Sequence, residues 1–145
     1  MLEFPTVIAP GDVVRRLGLA ANRHVTRIVR IRTAVGEPLV VETACFPVGL
    51  VDDLHVGVLE RVSIYDELER RHGVRVTRAQ EWIRPIALSR ALARLLSVRT
   101  GAPAFRVQRV TWAQSGPIEW QGSIVRGDRF LYSVELGDPA ARNVA

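Results

Sequence analysis

One pattern occurs twice in this chain, 79 positions apart. The first copy runs Arg27-Ile28-Val29-Arg30-Ile31-Arg32 and reaches Gly36-Glu37-Pro38; the second runs Arg106-Val107-Gln108-Arg109-Val110-Thr111 and reaches Gly116-Pro117. Each follows a short helix-like stretch ending in leucines and valines, Arg16-Leu17-Gly18-Leu19 and Leu95-Leu96-Ser97-Val98. Each leads into an apolar strand carrying an acidic residue. A duplicated helix–strand–turn–strand unit with charges on interior-looking strands predicts a polar pocket between two related halves.

With 145 residues, 48% of them hydrophobic, the chain is long enough for one globular domain with a core of its own. All 20 of its Lys+Arg residues are arginine, which lowers the weight of any single one. They are spread along the chain without a dense basic run, so the net charge of +5 fits an acidic small ligand better than direct DNA contact. The lone Cys45 can form no internal disulfide, and Ala44 and Phe46 beside it predict a buried thiol. No basic stretch followed by an apolar core opens the chain, and no apolar run approaches the ~20 residues of a membrane span. A cytoplasmic location is expected.

Strands are expected over Leu2–Ile8, His24–Ala34, Leu39–Val48, Val74–Ala87, Ala104–Ala113, Ile118–Val125 and Phe130–Leu136, from their alternation and β-branched content. Pro10-Gly11-Asp12 introduces a short helix over Val13–Leu17, and Asp52-Asp53-Leu54 a weak helical or irregular stretch. Ser63 caps a helix to His72, ended by Gly73, and Ser89 caps another over Arg90–Leu96 with Leu92, Leu95 and Leu96 on one face. The tail from Gly137 to Ala145 is expected to fray. The fold class is α+β: a mostly antiparallel sheet flanked by helices, with an internal pseudo-repeat.

Arg30 and Arg32 are two apart, so they share a strand face, about 7 Å from each other. A turn centred on Glu37 sets Arg32 opposite Glu42. That carboxylate shares its face with Val40, Ala44 and Phe46 and needs a partner there, leaving Arg30 for an anion; a purely structural ion pair is equally consistent. Ser63 explains itself as a helix cap, yet a helix N-terminus also favours anions, and Tyr65 would extend such a site. Glu119 lies on one face with Gln121, Ser123 and Val125, a setting for hydroxyl or amine recognition or for a partly exposed strand glutamate. Arg126-Gly127-Asp128 reads as a tight turn with Asp128 accepting backbone hydrogen bonds. Trp82, Trp112 and Trp120 read as core or wall residues. The three histidines lack metal-ligand spacing, and no phosphate loop, dinucleotide fingerprint or nucleophile elbow is present. No catalytic group, metal or cofactor is expected.

In order along the chain, Arg30-x-Arg32, Gly36-x-Pro38, Glu42 through Pro47, Ser63-Ile64-Tyr65-x-x-Leu68, Gly116-Pro117-Ile118-Glu119 and Arg126-Gly127-Asp128-Arg129-Phe130 resemble the UTRA domain. This is the effector-binding part of HutC-type regulators of the GntR family. The resemblance implies a chorismate-lyase-like fold over residues 1–145 as one domain. It also implies a homodimeric sensor of a small anionic metabolite, a phosphosugar or organic acid, with DNA bound only through a winged helix-turn-helix absent from this chain. It places ligand contacts at Arg30, Arg32, Glu42, Ser63, Tyr65 and Glu119. Sugar-phosphate binders carry a tyrosine where this chain has Val125, which makes the pocket less polar. The alternative expectation is a chorismate-lyase-like enzyme acting on an anionic substrate.

Overall fold

The computed structural model describes residues 4–19, 23–54, 56–59 and 63–137. Six strands form one antiparallel sheet in the order β1-β2-β3-β6-β5-β4. They are β1 (Thr6–Ile8), β2 (His24–Ala34), β3 (Glu37–Pro47), β4 (Val76–Ala87), β5 (Pro103–Ala113) and β6 (Gly116–Arg126). The helices are α1 (Gly11–Leu17), α2 (Val56–Leu59), α3 (Ile64–His72) and α4 (Arg90–Leu95). Each half of the sheet reads strand, helix, strand, strand, and the halves meet where β3 pairs with β6; α2 and α3 lie between them in sequence.

The two long hairpins have the same register at the 79-residue offset. Ala34 pairs with Glu37, Thr33 with Pro38 and Arg32 with Val40. Ala113 pairs with Gly116, Trp112 with Pro117 and Thr111 with Glu119. Each therefore carries one extra residue, Leu39 or Ile118, in a bulge beside its proline, where a missing N–H costs no ladder bond.

This corrects the expected pairing. The first turn is Val35-Gly36, not Gly36-Glu37-Pro38, because a two-residue turn with positive φ at both positions matches strand twist; φ is 51° at Val35 and 76° at Gly36. Turn and bulge together bring Arg30, rather than Arg32, opposite Glu42, and Arg32 opposite Val40.

Alternation divides the sheet into two faces. One buries Ile28, Ala44, Phe46 and Ile118 against Leu68 of α3 and against Val51 and Leu54 of the loop after β3. That loop is held by Asp52, whose carboxylate accepts hydrogen bonds from Thr26 Oγ1 at 2.8 Å and from the Gly49 amide at 3.0 Å. The other face is covered by α1, through Val13 and Leu17 packed with Val25 and Cys45, and by α4 and its C-cap, through Ala93 and Leu96 packed with Leu88 and Ala104.

The caps are as expected: Ser63 Oγ accepts from the Tyr65 amide, Ser89 Oγ from the Leu92 amide, and Gly73 ends α3 in the left-handed conformation. Leu95, however, is exposed, and Ala93 takes the buried place on α4. Strands β1 and β4 begin later than expected, at Thr6 and Val76. Residues 130–136 form no ladder within the described chain and are a correction to the expected strand; alternation alone does not supply a neighbouring edge. Leu2 and Glu3 of the expected first strand, and residues 138–145 of the expected frayed tail, lie outside the described residues.

Candidate functional site

The face beneath α3 gathers the charged residues. Glu42, only 3% exposed, accepts hydrogen bonds from Arg30 Nη2 on Oε1 and from Arg32 Nη1 at 3.4 Å on Oε2. A buried carboxylate requires such partners, and the arginines share it unequally. Arg30 is the close partner, whereas Arg32 keeps 61% of its side chain exposed. Arg30 Nε is buried with no hydrogen-bond acceptor. An unfilled guanidinium donor beside a second, solvent-facing guanidinium is a place where an oxyanion gains charge-assisted hydrogen bonds.

The second cluster joins α3 to β6. Tyr65 Oη donates to Glu119 Oε1 at 2.5 Å, and Thr111 Oγ1 donates to the same oxygen at 3.3 Å. Glu119 is 3% exposed, a buried carboxylate and not a partly exposed strand glutamate. Burial pushes its carboxyl above the ordinary range, opposed by the Tyr65 hydrogen bond, the Arg109 charge and the Thr111 hydrogen bond; the charge of Glu42 adds to the upward push. Burial, then the negative charge of Glu119, raises the Tyr65 phenol.

Register explains how the clusters share a face. Val125 pairs with Val40 and Phe105, Ser123 with Glu42 and Val107, and Gln121 with Ala44 and Arg109, so Glu119, Gln121, Ser123 and Val125 line the strip next to Glu42. Val125 is buried there. Ser63 lies exposed at the start of α3, its oxygen already accepting the Tyr65 amide at 3.3 Å.

Two contributors escaped the site prediction. Arg109 reaches Glu81 Oε1 on β4 through Nε at 2.8 Å and Nη2 at 2.5 Å, and its charge acts on both Tyr65 and Glu119. Thr111 supplies the second hydroxyl to Glu119. The 79-residue offset would have found both, as the counterparts of Arg30 and Arg32. The Arg126-Gly127-Asp128 turn forms as a 3-10 segment over Gly127–Arg129, but Asp128 accepts from the Arg126 guanidinium, at 3.0 and 2.8 Å.

The tryptophans are half-buried walls: Arg16 lies 3.9 Å over the Trp82 ring and Arg78 lies 4.0 Å over Trp112. Cys45 is buried as expected, and burial raises its thiol to about 11. A cavity of about 390 Å³ opens on the opposite face between α1 and α4, with Val41, Thr43, Gln108 and Trp120 among its lining. None of Arg30, Arg32, Glu42, Ser63, Tyr65, Glu119 or Val125 lines it.

Residues 1–131 match the UTRA domain family. The chain is 27% identical over 133 residues to the HTH-type transcriptional repressor NagR of Bacillus subtilis, covering 91% of this chain and 54% of that protein. It is 32% identical over 140 residues to the HTH-type transcriptional regulator Rv0792c of Mycobacterium tuberculosis, covering 94% and 51%. It thus spans about half the length of these curated relatives. Among solved structures, a transcriptional regulator from Streptomyces coelicolor superposes with a TM-score of 0.84 at 31% identity, covering 95% of this chain and 92% of that one. A GntR-family regulator from Enterococcus faecalis superposes with a TM-score of 0.83 at 25% identity, covering 90% and 94%. The chain belongs to the UTRA domain family.

Proposed function

We propose that this chain is the effector-sensing part of a homodimeric GntR/HutC-type transcription regulator, and that it binds a small anionic metabolite, a phosphosugar or organic acid. The observation that carries this reading is the buried, acceptor-less Nε of Arg30 beside the solvent-facing Arg32 guanidinium. An anion bound there sits on the same face as Glu119 and Tyr65, which address hydroxyl or amine groups of the same ligand. Bound so, the metabolite couples β2 to the N-terminal end of α3. Differential affinity for two arrangements of these elements then biases an attached winged-helix DNA-binding domain.

Relatives named as transcriptional repressors and regulators favour sensing over catalysis, and the lyase alternative has no comparable support. No helix among the described residues is long and apolar enough to cross a membrane, which suits a cytoplasmic sensor.

A thermal-shift screen of phosphosugars and organic acids tests the reading, since a ligand at 100 times its dissociation constant adds about 2.7 kcal/mol. Arg32→Ala should abolish the shift given by the best compound while leaving the unliganded melting temperature nearly unchanged. An undiminished affinity in both Arg30→Ala and Arg32→Ala would exclude the site.

A further inference from the structure

We propose that the cavity between α1 and α4 is a second small-molecule site, built for a carboxylate with an apolar body and separate from the effector site proposed above. It lies on the opposite face of the sheet, and its volume of about 390 Å³ falls in the range of small-ligand pockets.

The cavity sits on the repeat itself. Its lining pairs Val13 with Leu92, Arg27 with Arg106 and Val41 with Trp120, each pair at the offset that relates the two hairpins. Its floor includes the β3–β6 seam, where Thr43 faces Gly122, another such pair. α1 reaches across the seam to β6, and α4 to β3, so each helix roofs a strand of the other half. The enclosed space belongs to neither half alone.

The wall carries unused donors. Trp120 Nε1 is buried with no acceptor among the described residues, and an orphaned indole N–H costs free energy that an incoming oxygen recovers. Arg30 Nε is the other such atom, and it marks the effector site. The guanidiniums of Arg27 and Arg106 make no hydrogen bond or ion pair among the described residues. Burial raises the Cys45 thiol in the floor and the Arg27 charge opposes it, so that cation acts on the interior of the cavity. Asp12, in the first turn of α1, is the one carboxylate of the lining, and the two cations outnumber it.

The apolar part of the ligand follows from the remaining wall. A Cβ on Gly122 would lie 2.6 Å from the Trp120 ring, so glycine at that position leaves the indole its place over the sheet. The ring lies in the floor with Val41 and Ile124, and the helices add Val13 and Leu92. Apolar walls with a few cationic and N–H donors select a carboxylate on an aryl or alkyl body; a phosphosugar offers such walls no apolar surface. β3 and β6 carry Glu42 and Glu119 on their other side, so the two sites stand back to back through one layer of sheet.

Proton–nitrogen correlation NMR of the whole chain tests the site. Its three tryptophans give three indole N–H peaks, and Trp120→Phe identifies the one concerned. Phenylacetate and 3-phenylpropionate should shift the Trp120 peak saturably and leave that of Trp112, outside the lining, in place. Acetate, which lacks the apolar body, and phenylacetamide, which lacks the charge, should bind about tenfold more weakly or worse. Arg27→Ala and Arg106→Ala, both at exposed side chains, should each weaken phenylacetate about tenfold with unchanged circular dichroism, whereas Arg32→Ala should bind it as wild type does. The assignment is overturned if neither acid moves the Trp120 peak, if the amide binds as tightly as the acid, or if both Arg27→Ala and Arg106→Ala keep wild-type affinity. Loss of the shift in Arg32→Ala would put the acids in the effector site and overturn it as well. The effector reading is scored separately, by the phosphosugar and organic-acid screen, and survives failure here.

Discussion

Tyr65 and Glu119 meet across 2.5 Å, the phenol of α3 donating to a buried carboxylate of β6. This bond ties the N-terminal turn of α3 to the far half of the sheet. Tyr65→Phe removes the nearer of two donors to a carboxylate that is almost fully buried, and should cost about 1–3 kcal/mol. Urea denaturation of both proteins measures it directly.

Glu119→Gln separates stability from function. Because burial raises the Glu119 carboxyl in the folded state, protonation favours folding: the stabilising contribution is complete below the unfolded value, and it is lost as pH rises through the folded one. Above the unfolded value, keeping this carboxyl buried therefore costs stability. The glutamine variant should melt higher than wild type at pH 7 and lose that advantage in acid, while binding its effector more weakly. A lower melting temperature at pH 7 would contradict the assignment.

Glu67 has the opposite sign. Hydrogen bonds from Arg70 and Arg71 hold its carboxyl at about 2, so its contribution is present above the ordinary carboxylate value and disappears as pH falls from about 4.5 toward 2. Glu67→Gln should flatten the melting-temperature profile across that window, and at pH 7 it should be less stable than wild type.

Val35 occupies the first turn position at φ 51° with its side chain fully exposed. A β-branched residue is strained there, whereas asparagine adopts the conformation readily. Val35→Asn should stabilise the domain by about 1 kcal/mol, raising the melting temperature without altering effector affinity.

Gly127 has a different reason to be glycine. An added Cβ would lie 2.6 Å from the Pro103 carbonyl oxygen, a backbone atom that cannot swing aside. Gly127→Ala should cost about 1–3 kcal/mol, measurable by denaturant titration.

The sequence made the hairpins legible because strand alternation and the Gly-x-Pro or Gly-Pro signal recur at a constant offset. Cap serines and Gly73 made α3 legible, since those residues act within a few positions of themselves. Register was not legible in the same way. It depends on the bulges at Leu39 and Ile118, which turn twist and proline placement decide together, and one residue of error exchanged Arg30 for Arg32 opposite Glu42. Arg109 was hidden because its role depends on Glu81, 28 residues away on another strand, and on a tyrosine from α3. The cavity between α1 and α4 was invisible for a similar reason: helix spacing over a sheet is a property of packing and leaves no local pattern.

The matched register of the two hairpins has one further consequence. Across the β3–β6 seam, Glu42 occupies the place held by Gln121 in the other half, and Glu119 the place held by Val40. The backbone repeats while the buried carboxylates do not, so the two-fold likeness of the sheet is broken where a ligand would lie. A molecule with an anionic head and a hydroxylated or aminated tail can then be told from its reversed pose, and a scaffold built from like halves acquires a direction.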